Sequence, residues 1–279
     1  MQPSTASVSD PSVEPLPDHT QLPEKDGTFV RNFQEPPQST LLSGSLFPRL
    51  VVLYGYGRFC IGCDSGIYWR YTQPILDGCK APDWFLVPGV PAMLEGQFRR
   101  SYVLWQEAVR PLLLIEYVSG DGSEERDTTP YKGKFWVYEQ AIAAAYYAIF
   151  EPAKATLELY RLEDGHYVLV PANAAGRFPV KPLGVELGVW QGSYQGQEGP
   201  WLRVWDAATG HLVPTAEERA EAERQRADSE KRRAETAENL LDDTRRRLDE
   251  ECERAEDERR RAAKLAERLR ALGGDPDAP

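Results

Sequence analysis

From Thr215 to Leu272, 34 of 58 positions are charged and one apolar position returns every seventh residue: Ala220, Ala227, Ala234, Leu241, Leu248, Ala255, Ala262 and Leu269. An unbroken heptad with Glu and Arg interspersed predicts one long helix, a charged helix or coiled coil over 215–272. Its companion register reads Glu223, Glu230, Ala237, Thr244, Glu251, Glu258, Leu265 and Leu272, so little apolar area is available to bury. A two-stranded coil and a solitary charged helix both remain open. Either way this segment cannot supply a core, and whatever folds compactly must come from the chain before it.

Before the tail, residues 1–22 carry Pro3, Pro11, Pro15 and Pro17 among Ser, Thr and Asp and read as a disordered leader. Residues 23–214 are left as one domain, and 273–279 as a disordered end. The chain is 41% hydrophobic and 10% aromatic, enough for one core of ordinary size. No run reaches the roughly 18 apolar residues of a membrane helix, and Met1-Gln2-Pro3-Ser4-Thr5 does not begin a signal peptide. The expectation is a cytoplasmic protein with no membrane contact. Four cysteines are too few for a disulfide scaffold. Cys60-Ile61-Gly62-Cys63 with Cys79 lacks a suitably spaced fourth zinc ligand, since the histidines are His19, His166 and His211.

Net charge argues against easy nucleic-acid binding. The total is −11; the tail holds 18 Asp plus Glu against 16 Lys plus Arg, a net of −2, which leaves −9 on the remainder. Phosphate neutralisation usually needs a basic surface, so DNA as a partner requires a cation or a local strip such as Arg99-Arg100.

Apolar residues in 41–53 recur at helical spacing and predict a helix ending near Leu53. Runs at Phe59–Ile61, Gly66–Tyr71, Trp84–Val87, Leu112–Tyr117, Tyr146–Phe150, Ala155–Tyr160 and Tyr167–Val170 carry the strand signature. Pro130 opens a segment whose Phe135, Val137, Tyr138, Ala141 and Ile142 fit a helix. The strands of 179–214 are poorly defined. The result is a sheet with a helix packed on it.

Two acids sit at the edges of apolar runs: Asp83 in Ala81-Pro82-Asp83-Trp84-Phe85-Leu86-Val87 and Glu116 in Leu112-Leu113-Leu114-Ile115-Glu116. A carboxylate beside a buried strand is costly unless a cation meets it, so the pair suggests a metal site. Lys134 follows on the expected helix. Singly, each has a plainer reading: Asp83 a turn residue, Glu116 an edge charge, Lys134 a solvated helix residue. Trp84, Trp105, Trp136 and Trp190 could stack bases, though aromatics at strand spacing more often fill a core.

The ordered set Pro82-Asp83, Glu116-x-x-Ser119 and Asp127-x(6)-Lys134-x(3)-Tyr138 resembles the Uma-type restriction endonuclease family, a bacterial branch of the PD-(D/E)XK nuclease superfamily, over about Leu22–Gly188. The resemblance implies a restriction-endonuclease-like α/β (α+β) fold, a mixed sheet flanked by helices. It implies Mg²⁺ (or Mn²⁺) held by Asp83 and Glu116, with Lys134 as the catalytic cation and Asp127 and Tyr131 as supporting residues. Val118 stands where the superfamily name calls for lysine, so the cationic role falls to Lys134. Many members carry a further glutamate on an N-terminal helix; here Glu24 and Glu35 are the acids available. The implied function is metal-dependent hydrolysis of DNA phosphodiester bonds, with possible self-association through the C-terminal helix. The alternative is an inactive nuclease-fold protein that binds or scaffolds through that helix.

Overall fold

In a computed structural model that describes residues 33–272 except 74, 95 and 97, the chain divides into two compact units at Thr215/Ala216. The expected leader, Glu24 and the end 273–279 lie outside the described residues.

The first unit begins with helix α1 (Glu35–Tyr54), whose Pro36 and Pro37 occupy first-turn positions where a missing N–H costs nothing. Strands β1 (Phe59–Gly62), β2 (Ile67–Tyr68), β3 (Cys79–Lys80), β4 (Trp84–Pro88) and β5 (Tyr102–Val103) follow, then a short helix α2 (Leu104–Glu107) and β6 (Leu113–Tyr117). Helix α3 (Lys134–Trp136) leads directly into a π turn (Val137–Ile142). Strands β7 (Tyr146–Glu151), β8 (Thr156–Glu163), β9 (His166–Leu169), β10 (Phe178–Val180), β11 (Val185–Tyr194) and β12 (Gln197–Asp206) complete the unit.

Six strands form a mixed sheet in the order β1-β4-β6-β7-β8-β9, with β6 and β7 parallel and the other neighbours antiparallel. Alternation along each strand divides its residues between two cores. Trp84, Leu86, Ile115, Ala148 and Phe150 pack with Leu42, Leu46 and Leu50 of α1 and with Val185, Leu202 and Val204 of a second, antiparallel sheet, β10-β11-β12. Phe85, Leu114, Tyr147 and Ile149 face the other way, against Val137, Tyr138 and Ile142. A small third sheet, β3-β2-β5, lies among the same residues through Ile67 and Tyr102.

α1 is pinned as well as packed. The Gln38 side chain donates to the Leu202 carbonyl (2.9 Å) and accepts from the Leu202 N–H (2.8 Å), while Arg49 meets Asp206 at 2.6 Å. The Gln38 bonds fix where the start of α1 lies, and the Arg49 pair holds its second half.

Two segments differ from the sequence reading. The helix expected from Pro130 begins only at Lys134, because Thr129–Lys132 form a turn in which Gly133 N–H bonds back to the Thr129 carbonyl (2.9 Å). It then widens into the π turn, a form that recurs at functional sites. In 179–214 the weakly defined strands are two ten-residue partners, Val185↔Asp206 through Tyr194↔Gln197.

The second unit is helix α4 (Ala216–Ala271), 56 residues with none buried. At 1.5 Å per residue it is about 84 Å long. No described helix is long and apolar enough to cross a membrane.

Candidate functional site

β4 lies antiparallel to β6 with Trp84 opposite Ile115, and continuing that register sets Asp83 opposite Glu116 on one face. Glu116 is buried to 1% exposure inside an apolar strand. Its Oε2 accepts from Lys134 Nζ at 2.9 Å, and its Oε1 accepts from the Tyr138 hydroxyl. Lys134 and Tyr138 are four apart, one on α3 and one on the π turn, so both reach the same carboxylate. Lys134 also lies 3.6 Å from Glu125 and 3.7 Å from Glu124. Burial alone would pull its pKa down, but the charge and hydrogen bond of Glu116 carry it above the ordinary lysine value. Lys80 on β3 is near enough to feel Lys134, Glu124 and Glu116; burial first, then Lys134, holds its pKa below the ordinary value.

Asp83 Oδ2 accepts the Tyr117 N–H at 2.5 Å. Burial and then the charge of Glu116 push its pKa well above the usual carboxylate range, against the pull of that hydrogen bond and of Lys134; Glu35 raises it further. Ligand oxygens of Asp83, Glu35 and Asp64 all lie within 4.8 Å of one another. Three parts of the fold deliver them. Glu35 opens the pinned helix α1, Asp64 sits in the turn after β1 with φ of 44° and donates its N–H to the Asp83 carbonyl (3.3 Å), and Asp83 precedes β4. Three crowded carboxylates, one reluctant to ionise, match the charge demand of a divalent ion, and an all-oxygen set suits a hard cation such as Mg²⁺ or Mn²⁺. A cleft of about 540 Å³ opens beside them, lined by Ser39, Thr40, Ser43, Phe47, Cys63 and Asp64. Ser39 Oγ also lies 3.3 Å from the buried Tyr117 hydroxyl.

The model of the Uma2 family, described as "Putative restriction endonuclease", matches residues 26–194, more than half of the chain. The chain belongs to the Uma2 family. A crystal structure from Anabaena variabilis ATCC 29413, described as a "putative nuclease belonging to DUF820", is similar at 12% identity and a TM-score of 0.35, over 55% of this chain and 82% of that one. No curated protein matches the chain.

The span that matches Uma2 contains Glu35, Asp64, Asp83, Glu116, Lys134 and Tyr138, and stops before β12 and α4. Of the residues singled out from sequence, Glu116 and Lys134 are bonded and Asp83 faces Glu116. Asp127 and Tyr131 are placed differently. The Asp127 carboxylate takes the N–H (2.8 Å) and hydroxyl (2.6 Å) of Thr129, because a partner two residues on in a turn is nearer than any lysine. Tyr131 packs against Trp136 and Trp69 rather than against the acids. Trp84 is buried, with its N–H on Ser43 at 3.0 Å, and belongs to the core. Cys60 is buried and Cys63 exposed, and neither is in a disulfide. Lys80, Glu125 and Asp64 are not among the site residues expected from sequence, and Tyr138 enters there only through the motif and the helix; the Lys-x(3)-Tyr spacing is the signal for its role.

Proposed function

We propose that this Uma2 protein hydrolyses DNA phosphodiester bonds with a divalent cation, Mg²⁺ or Mn²⁺. The observation that supports it most is the meeting, at one end of the paired strands β4 and β6, of Asp83 with Glu35 and Asp64, and of Asp83 with a Glu116 already paired to Lys134. Asp83 would be the central ligand, flanked by Glu35 and Asp64, with Glu116 completing the acidic surround. When bound, the cation would neutralise charge that builds on the phosphate oxygens as the ester bond breaks.

The chain's own residues do the rest. Lys134, kept protonated by Glu116, is a fixed donor rather than a base, suited to hold the attacking water or the charged phosphate oxygen. Tyr138 and Lys134 together leave Glu116 one orientation. The cleft lined by Ser39, Thr40 and Ser43 supplies neutral hydroxyls along which a backbone could run without adding charge.

A second reading rests on α4. A 56-residue helix with no buried residue suits assembly, and self-association through it would bring two such sites together. The same helix would serve a protein that scaffolds without cutting.

The test is incubation of the purified chain with supercoiled plasmid, with and without Mg²⁺ or Mn²⁺. Nicked or linear product only with metal, lost in Asp83→Asn, is the expected result. A plasmid and a single strand both left intact under all conditions would favour the scaffold.

A further inference from the structure

A group of aromatic side chains, two of them flanking Lys134 in the chain, is not used by the hydrolytic reading. Tyr131 and Trp69 are near-parallel, with ring centres 6.5 Å apart and planes 21° apart. Trp136 closes on Tyr131 at 4.5 Å. The Arg70 guanidinium lies 4.3 Å from the Trp69 ring centre and 5.0 Å from that of Tyr131. From this geometry we infer a stacking platform for unpaired nucleobases, so that the substrate is single-stranded DNA, or DNA with an unpaired segment next to the cut. The inference rests on the nuclease reading for its substrate class.

Four observations carry it. Tyr131 remains 54% exposed although it belongs to the group, so about half of the side chain is open to a ligand. Its φ is 66°, a left-handed conformation uncommon for a bulky residue, and such conformations gather at binding sites. Trp69 Nε1 and Arg70 Nε are buried with no hydrogen-bond partner, so stability alone does not explain why these side chains gather here. The group is tied, by strand pairing and by chain order, to both lysines of the site. Trp69 and Arg70 follow β2, which pairs with β3 and its Lys80, while Tyr131 and Trp136 bracket Lys134 in the chain. Rings with a guanidinium laid on them attract flat, electron-rich, anionic partners, and every base offers a π face. Bases inside a duplex are already stacked and present only their edges. An acidic globular unit gives little phosphate attraction, so stacking would have to carry much of the affinity.

The experiment uses the full chain in EDTA, to suppress cleavage, with a fluorescein-labelled dT₁₂ strand and a duplex of equal length, read by anisotropy. Expected is tighter binding of the single strand with a shallow salt dependence. Tyr131→Asn, which tolerates the left-handed backbone, should weaken single-strand binding roughly tenfold, while Tyr131→Phe keeps it within about twofold. Thermal melts of both variants establish that they fold. Equal binding of strand and duplex, no binding by the natural protein, or an unaltered Tyr131→Asn would each overturn the platform. Plasmid and single-strand cleavage in Mn²⁺ is scored separately. Tyr131-dependent binding without any cleavage leaves the platform and removes the nuclease, whereas cleavage with Tyr131-independent binding does the reverse.

Discussion

Glu116 illustrates how one side chain can be both costly and fixed. At 1% exposure its charge is tolerable only because Lys134 and Tyr138 meet both oxygens. Lys134→Met would leave a buried carboxylate with a single neutral partner, and about 3–5 kcal/mol of stability should be lost, measured by urea unfolding. Glu116→Gln added to Lys134→Met should recover much of that, since the uncompensated charge is gone. The sign of the pH dependence follows from the raised pKa of Lys134. Its contribution is fully present below the unfolded value of about 10.4 and is lost only as pH rises through the still higher folded value. The cost of Lys134→Met should therefore be flat between about pH 6 and pH 9; a cost that fell steadily across that window would mean another group compensates Glu116. Asp83, Glu116 and Lys134 were legible in the sequence because each breaks an apolar run or follows one at helical spacing. Asp64 and Lys80 were not, because they lie in a turn and in a two-residue strand, where no periodicity marks which way a side chain points.

α3 owes its position to a glycine. A Cβ on Gly133 would stand 2.1 Å from the Asp127 carbonyl oxygen and 2.6 Å from its carbon, both backbone atoms that have no rotamer to escape into. In Gly133→Ala the start of the helix must move, and Lys134 with it. A displacement near 1 Å costs about 100-fold in rate where positioning matters, so metal-dependent cleavage should fall by that order while the protein stays folded in a thermal melt. Cleavage within a few-fold of the natural protein would show that α3 has slack. The long strands β11 and β12 show why elements can be hidden. Their glycines resemble loop residues in sequence, yet a Cβ on Gly192 would enter the Trp190 ring at 2.0 Å and one on Gly188 would touch Trp205 at 3.0 Å. The glycines clear room for indoles packed over the strand, a pairing visible only once the backbone is extended. Strands β4, β6 and β7 were legible because their apolar runs serve two cores at once, with Glu116 and Glu151 the only charged residues within them.

On the scale of the chain, charge and apolar area are divided unevenly. The segment 216–272 is nearly neutral at −2 and its helix has no buried residue, while the rest is −9 and contains the buried core. The division was plain in the sequence because a charged heptad has too little apolar area to build a core; a partner for the helix was not, since its seam is mostly alanine. Leu241, Leu248 and Leu269 are 54%, 55% and 44% exposed along that seam, and a second copy of α4 would cover them. Removing everything after Thr215, itself buried at 4%, takes away no core residue. The truncated chain should therefore melt within a degree or two of the full one, because exposed helix pairs worth a few tenths of a kcal/mol each do not support a separate unit. Light scattering on the two proteins at equal concentration should show a lower oligomeric mass after truncation, and Leu241→Glu with Leu248→Glu in the full chain should reproduce that loss. Unfolding of the truncated chain would mean that α4 supports the first unit, and an unchanged mass would remove self-association as its purpose.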